Sequence, residues 1–486
     1  MGEAKDSALG FAFNRSIQVE GRPERLTALA GAALLRETDE RVGFTRRLAE
    51  RIEDPRNPAL ITHPMSELLR ARIYAMALGE RDQDDLDDLR NDPTLRLAVS
   101  ERRGDAPLRE QEKDSQVPDG LASQPTQSRL VETLSTRANL DVLQDALFDQ
   151  AVRGHRALRR SERARHATID VDSTAIEVHG NQAGSGYNGY YKTTCYHPLL
   201  AMLASTGDWL DIALRPGPVH TSVGLAEFLL PLIDRTEKEI CQVASVRADA
   251  GMPSGPLLDK LEAREIGYVF RLAKNDVLER LAAPHLVRPV GRPPNEVRTW
   301  LVELAYQAET WSCARRVVLV VIDEPGELFL RSFFLLTSWC TDQMPAEELL
   351  SFYRERGTME GHIGDLKNTL RPALSSTSRT KSHIQGKPVC DPKPPRDAYA
   401  ANDANLLLFG LAYNLANLVR RVTASATREP WRLRRCRDTL LCVPARVVLH
   451  ARRVVIVLRA EAAPLWTRFM RRLARLLPAA HHPRAT

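Results

Sequence analysis

Apolar residues recur at three- and four-residue spacing from about residue 23 to 100, in LTALAGAALLRE, VGFTRRLAERI and MSELLRARIYAMALG, which predicts a helical N-terminal domain. The polar run SERRGDAPLREQEKDSQVPDG (100–120) has no such period and reads as a linker. A second helical run follows, SRLVETLSTRANLDVLQDALFDQAVRGHRALRR. From His166 the texture turns to strand, with HATIDVD, TAIEVHG and GDWLDIALR arranged around a Gly-rich loop. After Pro218 come the amphipathic helix SVGLAEFLLPLIDRTEKE and the apolar strand ICQVASV. Ser254 is then a plausible N-cap for the helix PLLDKLEAREI, with Gly267 at its end and the strand YVFRLA beyond.

Three strands, helix, strand, helix, strand is the order of the ribonuclease-H-like fold, which sets acidic residues on its first strand, at the end of its fourth and on a later helix. The fold class expected is therefore α/β, a ribonuclease-H-like catalytic core whose mixed sheet has flanking helices. The runs TWLVELAYQA, ARRVVLVVID and LFLRSFFLLTSW are β-branched and aromatic, and predict a β-rich insertion in that core. A long helix, MPAEELLSFYRERGTMEGHIGDLKNTL, comes next, then a Pro- and Lys-rich loop (376–395) and the helix NDANLLLFGLAYNLANLVRR. The expected organisation is a helical N-terminal domain (1–110), a linker and helix (111–165), the core's first part (166–275), the insertion (276–345), the core's second part with the long helix (346–425) and a basic C-terminal region (426–486).

Composition changes this picture little until charge is mapped along the chain. With 486 residues, 43% hydrophobic and 27% charged, the sequence is that of a globular protein of about three domains. It lacks the ~20 uninterrupted apolar residues of a membrane span and shows no secretory leader, so a cytoplasmic location is expected. Its seven cysteines are scattered, without zinc-ligand spacing, and read as reduced thiols. The net charge of +6 is unevenly placed: from Arg428 onward there are 14 arginines against Glu429, Asp438 and Glu461. Such a region is either a nucleic-acid footprint or a set of solvated helix faces.

Chemistry enters through the long helix. Tyr353, Arg356, Glu360 and Lys367 are three, four and seven residues apart, which at 3.6 residues per turn aligns them on one stripe. Leu349, Phe352, Met359, Ile363, Leu366 and Leu370 form an apolar stripe beside it. Taken alone, the polar stripe reads as a solvated face with ion pairs. Two acidic residues change that reading: Asp172 ends a strand in IDVDST, Asp249 ends another in VRADAG, and strand ends at one sheet edge open into a common crevice. Three carboxylates in one small site repel, and divalent cations relieve the repulsion. A pair of them about 3.5–4 Å apart can drive in-line phosphoryl displacement. Carboxylates without His or Cys suit Mg²⁺, with Mn²⁺ as a substitute. Asp170 is the alternative first ligand, since residues two apart on a strand face the same way. Asp172 is favoured because it stands at the strand end, with Asp170 supporting it from behind.

At this point the sequence resembles a known family. Asp172-Ser-Thr, Val178-His179-Gly180-Asn-Gln182, Asn188-Gly189-Tyr190-Tyr191, Tyr196-His197-Pro198-Leu199, Arg247-Ala248-Asp249 and the Tyr353, Arg356, Glu360, Lys367 stripe are similar to the DDE transposases of bacterial insertion sequences, in the insertion sequence 1380 family. The stripe itself is shared with the wider class of cut-and-paste elements. The likeness extends to LTALAG, HPMSELLRARIYAMALGERDQDDLDDLRNDP, LASQPTQSR, Ala412-Tyr413-Asn414-Leu415 and LLCVPARVVLHARRV, nearly the whole chain. It implies that Asp172, Asp249 and Glu360 are catalytic and hold metal, and that Tyr353, Arg356 and Lys367 contact DNA beside the cleaved bond. It further implies a homodimer on double-stranded DNA, acting on terminal inverted repeats and on target DNA. Arg452 and Arg453 are added as DNA contacts from the basic region. The sequence departs from the family pattern at Ala250, where Ser is usual, and at Met252, where an aromatic is, and its 376–395 segment is longer.

Several signals point elsewhere and carry less. Gly184-Ser-Gly186-Tyr-Asn-Gly189 matches G-x-G-x-x-G, but two tyrosines follow instead of a helix, and no P-loop is present, so no nucleotide cofactor is expected. His179 and His197 read as structural, and Trp300 and Trp311 as core residues rather than base-stacking ones. The leading function is a transposase that binds inverted repeats, cleaves at the element ends and joins them to target DNA. The alternatives are a catalytically inactive DNA-binding relative and a ribonuclease-H-like host nuclease without strand transfer.

Overall fold

The computed structural model describes residues 9–19, 24–100, 120–157, 163–291, 295–376, 383–384, 387–388, 397–450 and 453–478. The stretch from 166 builds strands β1 (Ala167–Ser173), β2 (Leu199–Leu203), β3 (Asp208–Ala213), β4 (Val243–Ala248) and β5 (Gly267–Leu272). They lie side by side in the order β3-β2-β1-β4-β5, with β4 parallel to β1 and β5, and β2 antiparallel to β1 and β3. The parallel strands are buried almost throughout, as strands covered on both faces must be. Helix α1 (Leu225–Glu239) makes the crossover into β4, and α2 (Gly255–Glu262) the one into β5.

The β-rich insertion does not stand apart from this sheet. Its strands β6 (Arg298–Tyr306), β7 (Arg315–Asp323) and β8 (Arg331–Thr337) continue it, β8 pairing antiparallel with β5, so the described residues form one eight-stranded mixed sheet. Trp311 is buried against Tyr306, and Trp300 donates to the His285 carbonyl while packing on the same core.

The long helix expected over 344–370 is divided. Helix α3 (Ala346–Arg354) and helix α4 (Gly357–Asp365) meet at a tightened turn, where the amides of Arg356, Thr358 and Met359 each reach back only three residues, and Leu366–Leu370 closes in a π-turn. Burial of the Arg356 side chain accompanies this tightening.

The N-terminal helices and the basic C-terminal region belong to one packed body. Strand Arg25–Thr27 pairs with Ala445–His450, which pairs with Arg453–Leu458. Helices Ala32–Val42 and Met65–Leu78 share a hydrophobic cluster with α5 (Ala398–Thr427) and α6 (Ala463–Leu476). The sequence LTALAG thus opens as a strand, not as a helix. Helix α5 is fastened to the sheet by Asn414, which accepts from the Trp209 amide and donates to its carbonyl (2.8 and 2.9 Å). Most of the 376–395 segment lies outside the described residues.

Candidate active site

Strand β1 carries the first acids into the site. In the β1–β4 register Asp170 stands opposite Arg247 and Val171 opposite Ala248, so one further residue brings Asp249 beside Asp172 at the sheet's end. Asp172 is set at the rim, with 15% of its side chain exposed. Its Oδ1 accepts the Ser173 amide at 2.8 Å and its Oδ2 accepts Arg356 Nη2 at 2.6 Å. Arg356 Nη1 donates to Glu360 Oε1 at 3.2 Å. Lys367, despite the π-turn, reaches the hydroxyl of Thr174 at 3.4 Å. Tyr353 is half-buried and packs on Phe333.

The electrostatics show how tightly these groups are coupled. Burial pushes the Asp172 carboxyl up to about 6; Arg356 and the Ser173 amide pull it down, and Asp249 and Glu360 push it up again. Burial also lifts the Tyr353 phenol to about 12, Arg356 opposing and the charges of Asp249 and Glu360 adding. Burial draws Arg356 down, but Asp172 and Asp249, with smaller contributions from Tyr353 and Glu360, outweigh it and leave it raised. Asp172, Asp249, Glu360, Tyr353 and Arg356 therefore act on one another electrostatically.

Asp170 sits differently. It is wholly buried, and Arg247 grips both its oxygens at 2.6 and 3.0 Å. Arg247 is itself held by the Phe352 carbonyl and by Glu355. Burial raises the Asp170 carboxyl, and Arg247 opposes that rise. Of the two competing aspartates, the one facing open space is Asp172.

Among the described residues, no three acidic, His or Cys side chains stand close enough to hold a metal ion as they are. The Arg356 guanidinium lies between Asp172 and Glu360, paired with both. Its Nε has no hydrogen-bond partner although buried, so the guanidinium is incompletely held. The donors themselves suit a hard divalent cation: carboxylate oxygens near enough that Asp249 and Glu360 both raise Asp172.

A cleft of about 550 Å³ opens from Asp172 and Asp249. It is lined by Tyr187, Tyr190, Tyr191, His197 and His220, none of them among the site residues expected from the sequence. The signal was present in Asn188-Gly-Tyr-Tyr: Asn188 Oδ1 accepts the amides of Tyr190 and Tyr191 (3.0 and 3.3 Å), folding the turn that presents both rings. Tyr190 is 87% exposed. Gly186, the middle of the glycine motif, starts a strand that pairs with Thr193–Cys195, so the motif is hairpin, not a phosphate loop. His197 is buried and bonds to the Val219 carbonyl, while His179 is exposed. Arg453 is exposed at a strand start away from these contacts, and Arg452 lies outside the described residues.

The chain is similar over 93% of its length to a solved cryo-electron-microscopy structure of the piggyBac transposase synaptic complex with hairpin DNA, covering 83% of that chain at 12% identity and a TM-score of 0.38. No curated protein matches it. Residues 9–385 match the model of the family described as transposase DDE domain group 1, and the chain belongs to that family, whose members are metal-dependent nucleases and strand transferases.

Proposed function

We propose that the protein is an insertion-sequence transposase of the 1380 type, which binds terminal inverted repeats, cleaves at the element ends and joins them to target DNA by two-metal phosphoryl transfer. One observation carries this reading. Asp249 and Glu360, far from Asp172 in sequence, both act on its carboxyl at the end of a sheet built from the order of strands and helices expected of a ribonuclease-H-like core. Asp172, Asp249 and Glu360 would hold Mg²⁺ or Mn²⁺, which supplies activation of the attacking water or 3′-hydroxyl and neutralises charge on the phosphate. Arg356, released from Asp172, turns its fork toward a phosphate oxygen, and its free Nε becomes a further donor. Lys367 anchors the same backbone from beyond Thr174. Tyr353, its phenol kept neutral by burial, offers a hydroxyl donor to the strand next to the cut. Arg452 and Arg453 contribute charge from the C-terminal region, and two copies hold the paired ends.

The test is cleavage of a plasmid carrying both element ends. Asp172→Asn, Asp249→Asn and Glu360→Gln are each expected to lose metal-dependent cleavage by on the order of 10³-fold or more while still binding an end duplex. Near-normal cutting by any of the three removes that residue from the metal-binding set, and near-normal cutting by all three removes the reading.

A further inference from the structure

Helix α6 has two faces of opposite chemistry. Trp466, Phe469, Met470, Leu473 and Leu476 pack on the hydrophobic cluster around α5. Arg468, Arg471, Arg472 and Arg475 fall, at 3.6 residues per turn, within an arc of about 100° on the other face. Exposed helices commonly place acids three or four residues from such cations; between Ala462 and the end of the sequence there is no Asp or Glu. Like charges at these spacings repel, so the row costs helix stability.

The row faces a concavity of about 560 Å³ between α6 and the end of α5, lined by Ser425 and by Arg428, Arg468, Arg471, Arg472 and Arg475. Arg428 stands at the α5 C-cap in the left-handed region, φ 61°, where glycine is the usual residue. Arg472 is pinned by two bonds to Ser425 Oγ (2.8 and 2.5 Å). Among the described residues, Arg428, Arg468, Arg471 and Arg475 have no acidic partner, whereas Arg434, Arg435 and Arg437 of the same basic region are paired with Asp438 or Glu429.

We infer that this arginine-lined concavity is a second DNA-binding site, taking successive phosphates of one strand of duplex DNA. A single small anion would need one focus of donors. Here the cations extend from Arg468 to Arg475, about 10 Å at 1.5 Å per residue, the dimension of a run of backbone and not of one phosphate. The site is outside the cleft: Ala426 is 13 residues beyond Tyr413, which bonds His362 on α4, hence about 20 Å further along α5. That distance corresponds to about six base pairs. The inference rests on the transposase reading and adds to it a place where DNA flanking the cut is held without regard to sequence.

The experiment uses the full-length chain, a fluorescent duplex carrying the element end and a second duplex of random sequence, titrated over a salt series. The Arg468→Gln/Arg471→Gln/Arg475→Gln protein is expected to bind both duplexes more weakly, with the slope of log K against log salt shallower by about two to three at roughly 0.9 per lost contact. Lysine at the same three positions retains the slope and the parent's thermal unfolding, and the triple-Gln protein, changed only at exposed positions and relieved of like-charge repulsion, unfolds at no lower temperature than the parent. Arg428→Gln, outside α6, lowers the slope by about one. An unchanged slope in both the triple-Gln variant and Arg428→Gln, or a loss confined to the element-end duplex, overturns the inference. Plasmid cleavage at low salt separates the two readings. A parent that binds and cuts while the variants keep its slope removes only this site, and a parent that neither binds nor cuts removes the transposase reading.

Discussion

Asp170 with Arg247 and Asp172 with Arg356 are two pairs of the same chemistry, their aspartates two residues apart on β1. In the first, side-chain exposure is 0% and 3%, both carboxylate oxygens are taken, and Arg247 is also bound by Phe352 and Glu355. In the second, the aspartate is 15% exposed, Arg356 meets only one of its oxygens, and one guanidinium nitrogen is unpartnered. The difference teaches that pairing alone does not define a role. A saturated pair sealed from water is part of the framework, while an unsaturated pair at a sheet end can exchange its cation for another.

The sharpest way to break this contrast is to remove one arginine at a time. Arg247→Leu leaves Asp170 buried without a partner and is expected to cost about 3–5 kcal/mol in urea unfolding. Arg356→Gln is expected to cost only about 1–2 kcal/mol, because Asp172 can reach water or keep its proton, and to strengthen Mn²⁺ binding measured by electron paramagnetic resonance. Equal losses from the two changes would abolish the distinction between them.

A second test is pH. The Asp172 carboxyl holds its proton up to about 6, so a cation binding there must displace that proton below this value. Mn²⁺ affinity is expected to be flat above about pH 7 and to fall about tenfold per unit below 6. A fall beginning only near the ordinary value of 3.8 would mean that Asp172 is not the controlling ligand. The sign for folding is opposite to the usual carboxylate: ionising Asp172 works against the folded state between 3.8 and about 6, and a bound cation offsets that cost.

Tyr190 gives the smallest effect. Its ring is exposed beside the cleft, so Tyr190→Ala is expected to leave unfolding unchanged and to weaken binding of an end duplex with an unpaired terminal base by about tenfold, the scale of one stacked base. Equal weakening on a fully paired duplex would indicate a shape effect instead of stacking.

The order of strands and helices in the core was legible because each element carries its own period and its own stop signal. What the periods could not show was partnership. TWLVELAYQA and ARRVVLVVID announce strands, but nothing local says that their edge joins β5. LTALAG has a helical spacing, and its first residues become a strand only because Ala445–His450 offers an open edge more than 400 positions away. Glu360 could be placed by spacing, yet Arg356, at the turn between α3 and α4, is held by Asp172, 184 residues distant. The choice between Asp170 and Asp172 needed Arg247, whose reach across the sheet follows from register and not from motif. The tyrosines of the cleft were visible as a motif, without a role until the hairpin was folded.

The claim that Asp172 is a working ligand and Asp170 a framework residue is tested most directly by end-plasmid cleavage with Asp170→Asn and Asp172→Asn side by side, normalised to folded protein. Asp172→Asn is expected to fold, bind an end duplex and fail to cut; Asp170→Asn is expected to lose stability and to retain most of its cutting per folded molecule. A folded, DNA-binding Asp170→Asn that cannot cut, beside an Asp172→Asn that cuts at the parent rate, would contradict the account.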